Sequence, residues 1–441
     1  MAHFLIPPNA IRRHYETLHL IGNLGPSPAD GFFRPAYSDL ETAAMKYIES
    51  DARAAGLDTR WDALGNLTIE TERGAKAYAE SGSHLDTVPA GGNYDGVAGI
   101  LAGLEALKYL KPSSSKDKAF RLRIWRGEES AVYGTAYLGS SSAFGSLNPK
   151  LLDVVFENET LESAMRKQDC DPELVRQGKR TIDQEEVDSI LAHIELHIEQ
   201  GQVLELSDTP IGIVTSIRGP QRYRVTLRGE FNHSGTTPMG VEFRKDVNLA
   251  LGYMIVRLDE LALKHRNAGA DLVQTIGVVN SDASINDSDP ELYLNAVSKI
   301  SGFGYFFFEA RSADATFKAD YCAAAEEVIK NTARDFGVAA DVVLVSKSAG
   351  IAQLDLSLQN TIAKAAERLG FAASRLASGA GHDAAIVAAQ KQSSGKNVPA
   401  GMIFIPCLNG ISHNPAELAT PEAIASGASV LAQALSLVGS E

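Results

Sequence analysis

Residues Ala192 to Gly201 read AHIELHIEQG, and how this stretch folds decides the architecture of the chain. In an extended conformation Ile194, Leu196 and Ile198 fall on one side, with His193, Glu195, His197 and Glu199 on the other. One face is apolar and the opposite face carries imidazoles and carboxylates. A helix would instead make His193 and His197 an i,i+4 pair of the kind zinc uses. The stretch lacks the glutamate of an HExxH motif, however, and its β-branched alternation favours a strand. A single site takes in only one or two of the four polar groups, so the others are expected to be structural or exposed.

Strands and helices alternate around this segment. Leu67-Thr68-Ile69, Phe120 to Trp125 (FRLRIW) and Gly401 to Ile405 (GMIFI) read as strands, while Asp39 to Gly56 and Val97 to Leu110 read as helices. That order argues an α/β fold. After Gly212 the character changes. Arg222 to Leu227 alternates, Asp246 to His265 and Ala319 to Phe336 read as long helices, and Tyr305 to Phe308 as an aromatic strand, together a compact α+β insert. Thr420-Pro421-Glu422 opens a final helix with a cap, a Pro at its first position and an acidic first turn. Lys111 to Lys118 and Gln392 to Asn397 are polar loops too short to act as linkers.

With 441 residues the chain is long enough for two or three domains. Its 41 Lys and Arg against 55 Asp and Glu leave a formal charge of −14, which repels phosphate backbones and anionic membranes; neither nucleic acid nor a membrane is expected as a partner. Three dispersed cysteines, Cys170, Cys322 and Cys407, offer neither a disulfide framework nor a thiolate cluster. The first residues, MAHFLIPP, contain too short an apolar run for a secretory signal, so a soluble cytoplasmic protein is expected.

Ten histidines remain to be placed. In Ser83 to Pro89 (SHLDTVP), His84 and Asp86 lie two apart near a strand end, where the carboxylate can orient the imidazole. Gly91 to Gly96 (GGNYDG) sets Asp95 in a glycine-rich turn before a helix, either as a ligand or as an N-cap. Glu128 and Glu129 follow a buried strand, where open α/β sheets gather ligands. His382 in SGAGHDA and His413 in ISHNPAE follow small-residue turns, after which helices are expected. Imidazole plus carboxylate without thiolate is the donor set of a catalytic zinc or manganese site rather than of a structural zinc.

Taken in order, SHLDTVPAGGNYDG, Glu128-Glu129, ELHIEQG, NHSGTTPM, SGAGHDA and SHNPAE resemble the hydantoinase/carbamoylase branch of the M20 family of dinuclear metallo-amidohydrolases. The resemblance runs from about Arg34 to the final helix. It implies an α/β metal-binding domain, residues 1–215 and 349–441, interrupted by a smaller α+β lid, residues 216–348, through which the chain forms a homodimer. It implies two divalent ions, zinc, manganese, cobalt or nickel, one held by His84, Asp95 and His197 and the other by Asp95, Glu129 and His413. Glu128 becomes the general base, Asp86 the partner of His84, and His233 a lid donor to the developing oxyanion. Gln200 is assigned to a ureido group, and Asn295 and Arg311 to a substrate carboxylate.

Departures from the family pattern collect at the substrate end. The family's EExxRF is replaced by Glu128-Glu129-Ser130-Ala131-Val132-Tyr133, two residues are added before Arg244-Lys245-Asp246, the turn after Asn295 is rewritten, and Glu309 stands where an Asp is usual. The leading expectation is hydrolysis of a non-peptide C–N bond, that of an N-carbamoyl-L-amino acid. Allantoate or another ureido acid, an N-acyl substrate, a dipeptide, and a non-catalytic binding protein of the same fold are the alternatives.

Overall fold

The computed structural model describes residues 5–110, 117–281, 297–347 and 352–440. Most of the polar loop expected from Lys111 to Lys118, and Asn295, lie outside the described residues. Contacts divide the chain into two compact units, Met1–Ile217 with Ala352–Glu441, and Arg218–Ile351.

In chain order the strands used below are β1 (Asp58–Trp61), β2 (Leu67–Glu70), β3 (Ala77–His84), β4 (Lys118–Trp125), β5 (Ile190–Ile198), β6 (Ile211–Ile217), β7 (Gly219–Arg228), β8 (Val273–Asn280), β9 (Phe303–Ser312), β10 (Ala339–Lys347), β11 (Ala352–Gln353), β12 (Ala373–Ser378) and β13 (Ala400–Ile405). The helices are α1 (Pro8–Leu18), α2 (Asp39–Ala54), α3 (Val97–Tyr109), α4 (Val247–Asn267), α5 (Ala315–Asp335), α6 (Leu356–Leu369), α7 (Asp383–Ala388) and α8 (Pro421–Ser440).

The first unit is built on a mixed sheet in the order β1-β2-β4-β3-β5-β13-β6-β11, with β12 also paired to β6. Its centre, β4-β3-β5-β13, is parallel throughout. Parallel strands are covered on both faces. On one face Ile194, Leu196 and Ile198 of β5 pack with α3, α6 and α8 in the main core. α8 is long and apolar enough to cross a membrane, but Ile424, Val430, Leu431 and Leu435 are buried in this core.

The polar face of β5 is buried too, so of the two expected alternatives its remaining groups are structural rather than exposed. His193 Nδ1 lies 3.1 Å from Glu80 Oε1, and Arg123 Nε donates to Glu80 Oε2 at 3.0 Å. Glu195 accepts from Ser83 Oγ at 2.9 Å and from the Ala384 amide at 2.8 Å, while Glu199 accepts the Val203 and Leu204 amides. Buried polar groups persist when they are paired in this way.

The second unit is an antiparallel sheet, β8-β9-β7-β10. Val225, Leu227, Phe306 and Phe308 from its strands pack with Met254 and Leu258 of α4 and with Tyr321 and Ile329 of α5. Both helices start on an aspartate: Asp246 accepts the Asn248 and Leu249 amides, and Asp314 those of Thr316 and Phe317.

Candidate metal centre

Every candidate ligand of the first unit lies at or beyond the carboxyl end of a parallel strand, where an open α/β sheet gathers its ligands. His84 ends β3, His197 stands one residue before the end of β5, and Glu128-Glu129 follow β4. Asp95 sits between β3 and α3, and His413 lies beyond β13. The segment after His413 is turns, and the next helix begins only at Pro421, where Thr420 Oγ1 accepts the Ala423 amide. That corrects the expected helix immediately after His413; α7 does begin after His382.

Local bonding fixes each ligand. Asp86 Oδ1 is 3.2 Å from His84 Nδ1, and the same carboxylate accepts the amides of Glu128 and Glu129, both at 3.0 Å. One aspartate therefore orients an imidazole on β3 and the acidic pair after β4. The buried guanidinium of Arg34 braces this segment, its Nε donating to Leu85 O at 2.7 Å. Glu41 accepts the Gly127 amide at 2.9 Å and holds the turn that presents Glu128. His197 Nδ1 is 2.9 Å from Ile198 O; a carbonyl only accepts, so Nδ1 carries a proton and, in the neutral ring, Nε2 keeps its lone pair for a metal. Gly96 has φ 65 and faces the His84 ring closely enough that a Cβ would collide with it. It also occupies the N-cap of α3 without any side-chain cap bond, so the carboxylate of Asp95 is not used as a cap.

Asp95 is the common member of two groups. His84 Nε2 and His197 Nε2 lie 3.4 and 2.9 Å from its Oδ1. His413 Nε2 lies 3.4 Å from its Oδ2 and 3.1 Å from Glu129 Oε1. Within each group, His84, Asp95 and His197 or Asp95, Glu129 and His413, one ligand atom per residue lies within 4.8 Å of the others. Glu128 stands beside them, its Oε2 3.9 Å from His84 Nε2.

Crowding of acids and imidazoles away from water shifts their proton affinities. Burial raises Asp95, but His197, His413 and His84 outweigh it and hold the carboxyl well below its ordinary range. Burial lowers His84, yet hydrogen bonds to Asp86 and Asp95 raise it well above. Hydrogen bonds to Asp95 and Glu129 lift His413 to about 11. Glu128 moves well upward, first through burial and then through Glu129 and Asp383, with His84 opposing. These imidazoles are acting as the counter-charges of a concentrated set of carboxylates. Two divalent cations fit the same position: the donors are Nε2 lone pairs and carboxylate oxygens, and the far nitrogens of His84 and His197 are tied to a carboxylate and a carbonyl, as in metal-ligating histidines.

The other sequence-derived residues sort by unit. Gln200, in a left-handed conformation at φ 56, donates from Nε2 to Asp95 Oδ2 at 2.6 Å and to Ser412 Oγ at 3.2 Å. Its Oε1 is buried with no hydrogen-bond partner among the described residues. In the second unit, His233 Nδ1 accepts the amides of Gly235 and Thr236, both at 3.1 Å. The neutral ring then carries its proton on Nε2, and the residue is exposed. Arg311 Nε donates to Glu309 Oε1 at 2.5 Å, and Glu309 also pairs with Arg222. Val132, where the family pattern has an arginine, is buried with Tyr133 and Leu138 in an apolar cluster.

His382 was named in the sequence without a role of its own, whereas Asp383 and Glu417 were not singled out. His382 is buried, its ring 4.5 Å from that of His197, with Nε2 2.9 Å from Ser378 Oγ. Its neighbour Asp383 is pushed up to about 8, by burial first and then by Glu195. Glu417 accepts amides from the segments that carry Asp95 and His413. Only the motif SHNPAE, which contains Glu417, marked its neighbourhood.

Residues 81–437 match the peptidase family M20/M25/M40. The chain is 33% identical over 420 residues to allantoate amidohydrolase of Escherichia coli (strain K12), covering 95% of each. It is 30% identical to N-carbamoyl-L-amino-acid amidohydrolase of Rhizobium meliloti, covering 96% of this chain and 95% of that one. A crystal structure of a hydantoinase/carbamoylase family amidase from Burkholderia multivorans superposes with a TM-score of 0.82 at 26% identity, covering 100% of both chains. With these relatives, and with two ligand groups that share Asp95, the chain belongs to the peptidase family M20/M25/M40 and is an enzyme of its amidohydrolase branch.

Proposed function

We propose that the chain hydrolyses the ureido amide of an N-carbamoyl-L-amino acid at a site holding two divalent ions, zinc, manganese, cobalt or nickel. The observation that carries this reading is the pair of ligand groups sharing Asp95 with Glu128 standing against them. Divalent ions held by His84, Asp95 and His197 and by Asp95, Glu129 and His413 would supply Lewis acidity, polarising a carbonyl and acidifying a water. Glu128 takes a proton from the attacking water as its oxygen bonds the carbonyl carbon, and delivers that proton to the leaving nitrogen as the C–N bond breaks. Its burial raises its proton affinity, which suits a group that must carry a proton between two steps. His233, with its proton fixed on Nε2, supplies the donor to the carbonyl oxygen as negative charge develops; one such donor is worth about 3 kcal/mol. Gln200 offers its unpartnered Oε1 to a ureido N–H, and Arg311 with Asn295 takes the substrate carboxylate.

Allantoate is the second reading, supported by the Escherichia coli relative. A panel of N-carbamoyl-L-amino acids, allantoate, other ureido acids, N-acyl amino acids and dipeptides decides between them. The highest kcat/KM is expected for a carbamoyl amino acid; a clear preference for allantoate moves the assignment to the second reading, and a preference for dipeptides contradicts both.

The second unit supports a homodimer. Leu249, Tyr253, Val256 and Leu263 form an exposed stripe along α4, and the edge strand β8 exposes Val273, Val278 and Val279. Light scattering should give twice the chain mass, and Tyr253→Glu should reduce it. A cytoplasmic setting suits three cysteines that are all buried and form no disulfide among the described residues.

A further inference from the structure

Glu417 is a buried carboxylate, 4% exposed, in a turn between β13 and α8. Its two oxygens divide their work between two loops. Oε1 accepts the amides of Tyr94 and Asp95, both at 2.9 Å. Oε2 accepts from Ser412 Oγ at 2.9 Å and from the His413 amide at 3.2 Å. Ser412 Oγ also lies 2.9 Å from Asp95 Oδ2, so the carboxylate reaches the side chain of Asp95 as well as its backbone. Gly92 packs flat against Glu417, where any Cβ would collide with the carboxylate and its stem.

We propose that Glu417 is a positioning residue that clamps the Asp95 loop to the His413 loop and thereby assembles the ligand group of Asp95, Glu129 and His413. The reasoning is one of supports. His84 and His197 are carried by central strands and oriented by Asp86 and the Ile198 carbonyl, none of which depends on Glu417. His413 has no such scaffold: it lies outside any helix or strand, takes φ 55, and its side chain is half exposed. A non-glycine residue in that backbone conformation persists where its surroundings enforce it, and the amide bond to Glu417 is one such constraint. Four donors converge on one carboxylate, so replacing an oxygen with an amide NH2 sets donor against donor in at least one loop.

The inference rests on the two-metal reading and is tested by metal binding rather than by turnover. Glu417→Gln and Ser412→Ala proteins, stripped and then titrated with Zn²⁺ against a chromophoric chelator, are compared with wild type. Wild type should take two equivalents. Glu417→Gln should bind the second equivalent roughly 10- to 100-fold more weakly, the usual cost of losing a group that orients ligands, and weaken the first, which shares only Asp95 with the clamp, by much less. Ser412→Ala, which leaves the three backbone amide bonds to Glu417 intact, should weaken the same second equivalent by less. Gly92→Ala, which presses on Glu417 without touching a ligand, should reproduce the Glu417→Gln pattern. Two unchanged equivalents in Glu417→Gln, or equal weakening of both, would overturn the clamp while leaving the two-metal reading intact. Fewer than two equivalents in wild type would overturn both. If Glu417→Gln does not fold, Ser412→Ala and Gly92→Ala carry the test: selective weakening of one equivalent supports the clamp, and its absence from both contradicts it.

Discussion

The two ligand groups that meet at Asp95 are built from different materials. His84 and His197 stand on central parallel strands, each 1% exposed and each with its far nitrogen tied down. His413 rides on a turn, with half of its side chain exposed, and depends on hydrogen bonds to loops. Side chains on rigid elements are held more tightly than side chains on loops, and burial strengthens their electrostatics. The first group is preformed, the second assembled.

That difference can be broken most completely at the residue the groups share. Asp95→Asn should abolish turnover and remove both metal equivalents, whereas His413→Ala should remove one and leave the other, as read by metal analysis after gel filtration. Loss of both from His413→Ala would contradict the asymmetry. Glu128→Gln sharpens the contrast by separating holding from chemistry: kcat should fall by about 10²- to 10⁴-fold with two equivalents still bound. Metal loss in that variant would place Glu128 among the ligands instead. His233→Ala, in the other unit, should lower kcat by about 10²-fold with metal content unchanged. A rise in KM alone would make His233 a substrate-binding residue.

The smallest effect is on stability, in the polar network behind β5, away from both groups. Burial opposes the charge on Glu80, but Arg123, His193 and Arg121 hold its carboxyl down to about 2, against 4.5 in an unfolded chain. Because the folded value is the lower one, this contribution is complete above about pH 4.5 and is lost as pH falls toward 2. The difference in urea midpoint between wild type and Glu80→Gln should therefore shrink between pH 6 and pH 3. A pH-independent difference would contradict the assignment.

Much of this was legible in the sequence. The alternation of Ala192–Gly201 specified a strand, and five residues recognised by their motifs come together around Asp95 as two groups. What alternation could not specify is the covering of the polar face. Whether His193 and Glu195 are ligands, structural or exposed stays open until Glu80 and Ser83 are placed opposite them by strand pairing. Glu417 was invisible for another reason. It acts on backbone amides, which every residue carries, so no partner side chain marks it. At the substrate end the sequence signalled change, and the burial of Val132 with Tyr133 gives one physical reason: an apolar cluster fills the place where the family pattern has a cation.

The central claim is that catalysis depends on metal held by these residues. It is tested most directly by preparing enzyme verified metal-free, assaying it on the carbamoyl and ureido panel, and reloading it with zinc, manganese, cobalt or nickel. The account predicts no turnover in the stripped enzyme and recovery as the second equivalent is restored; full activity in the metal-free protein would contradict it.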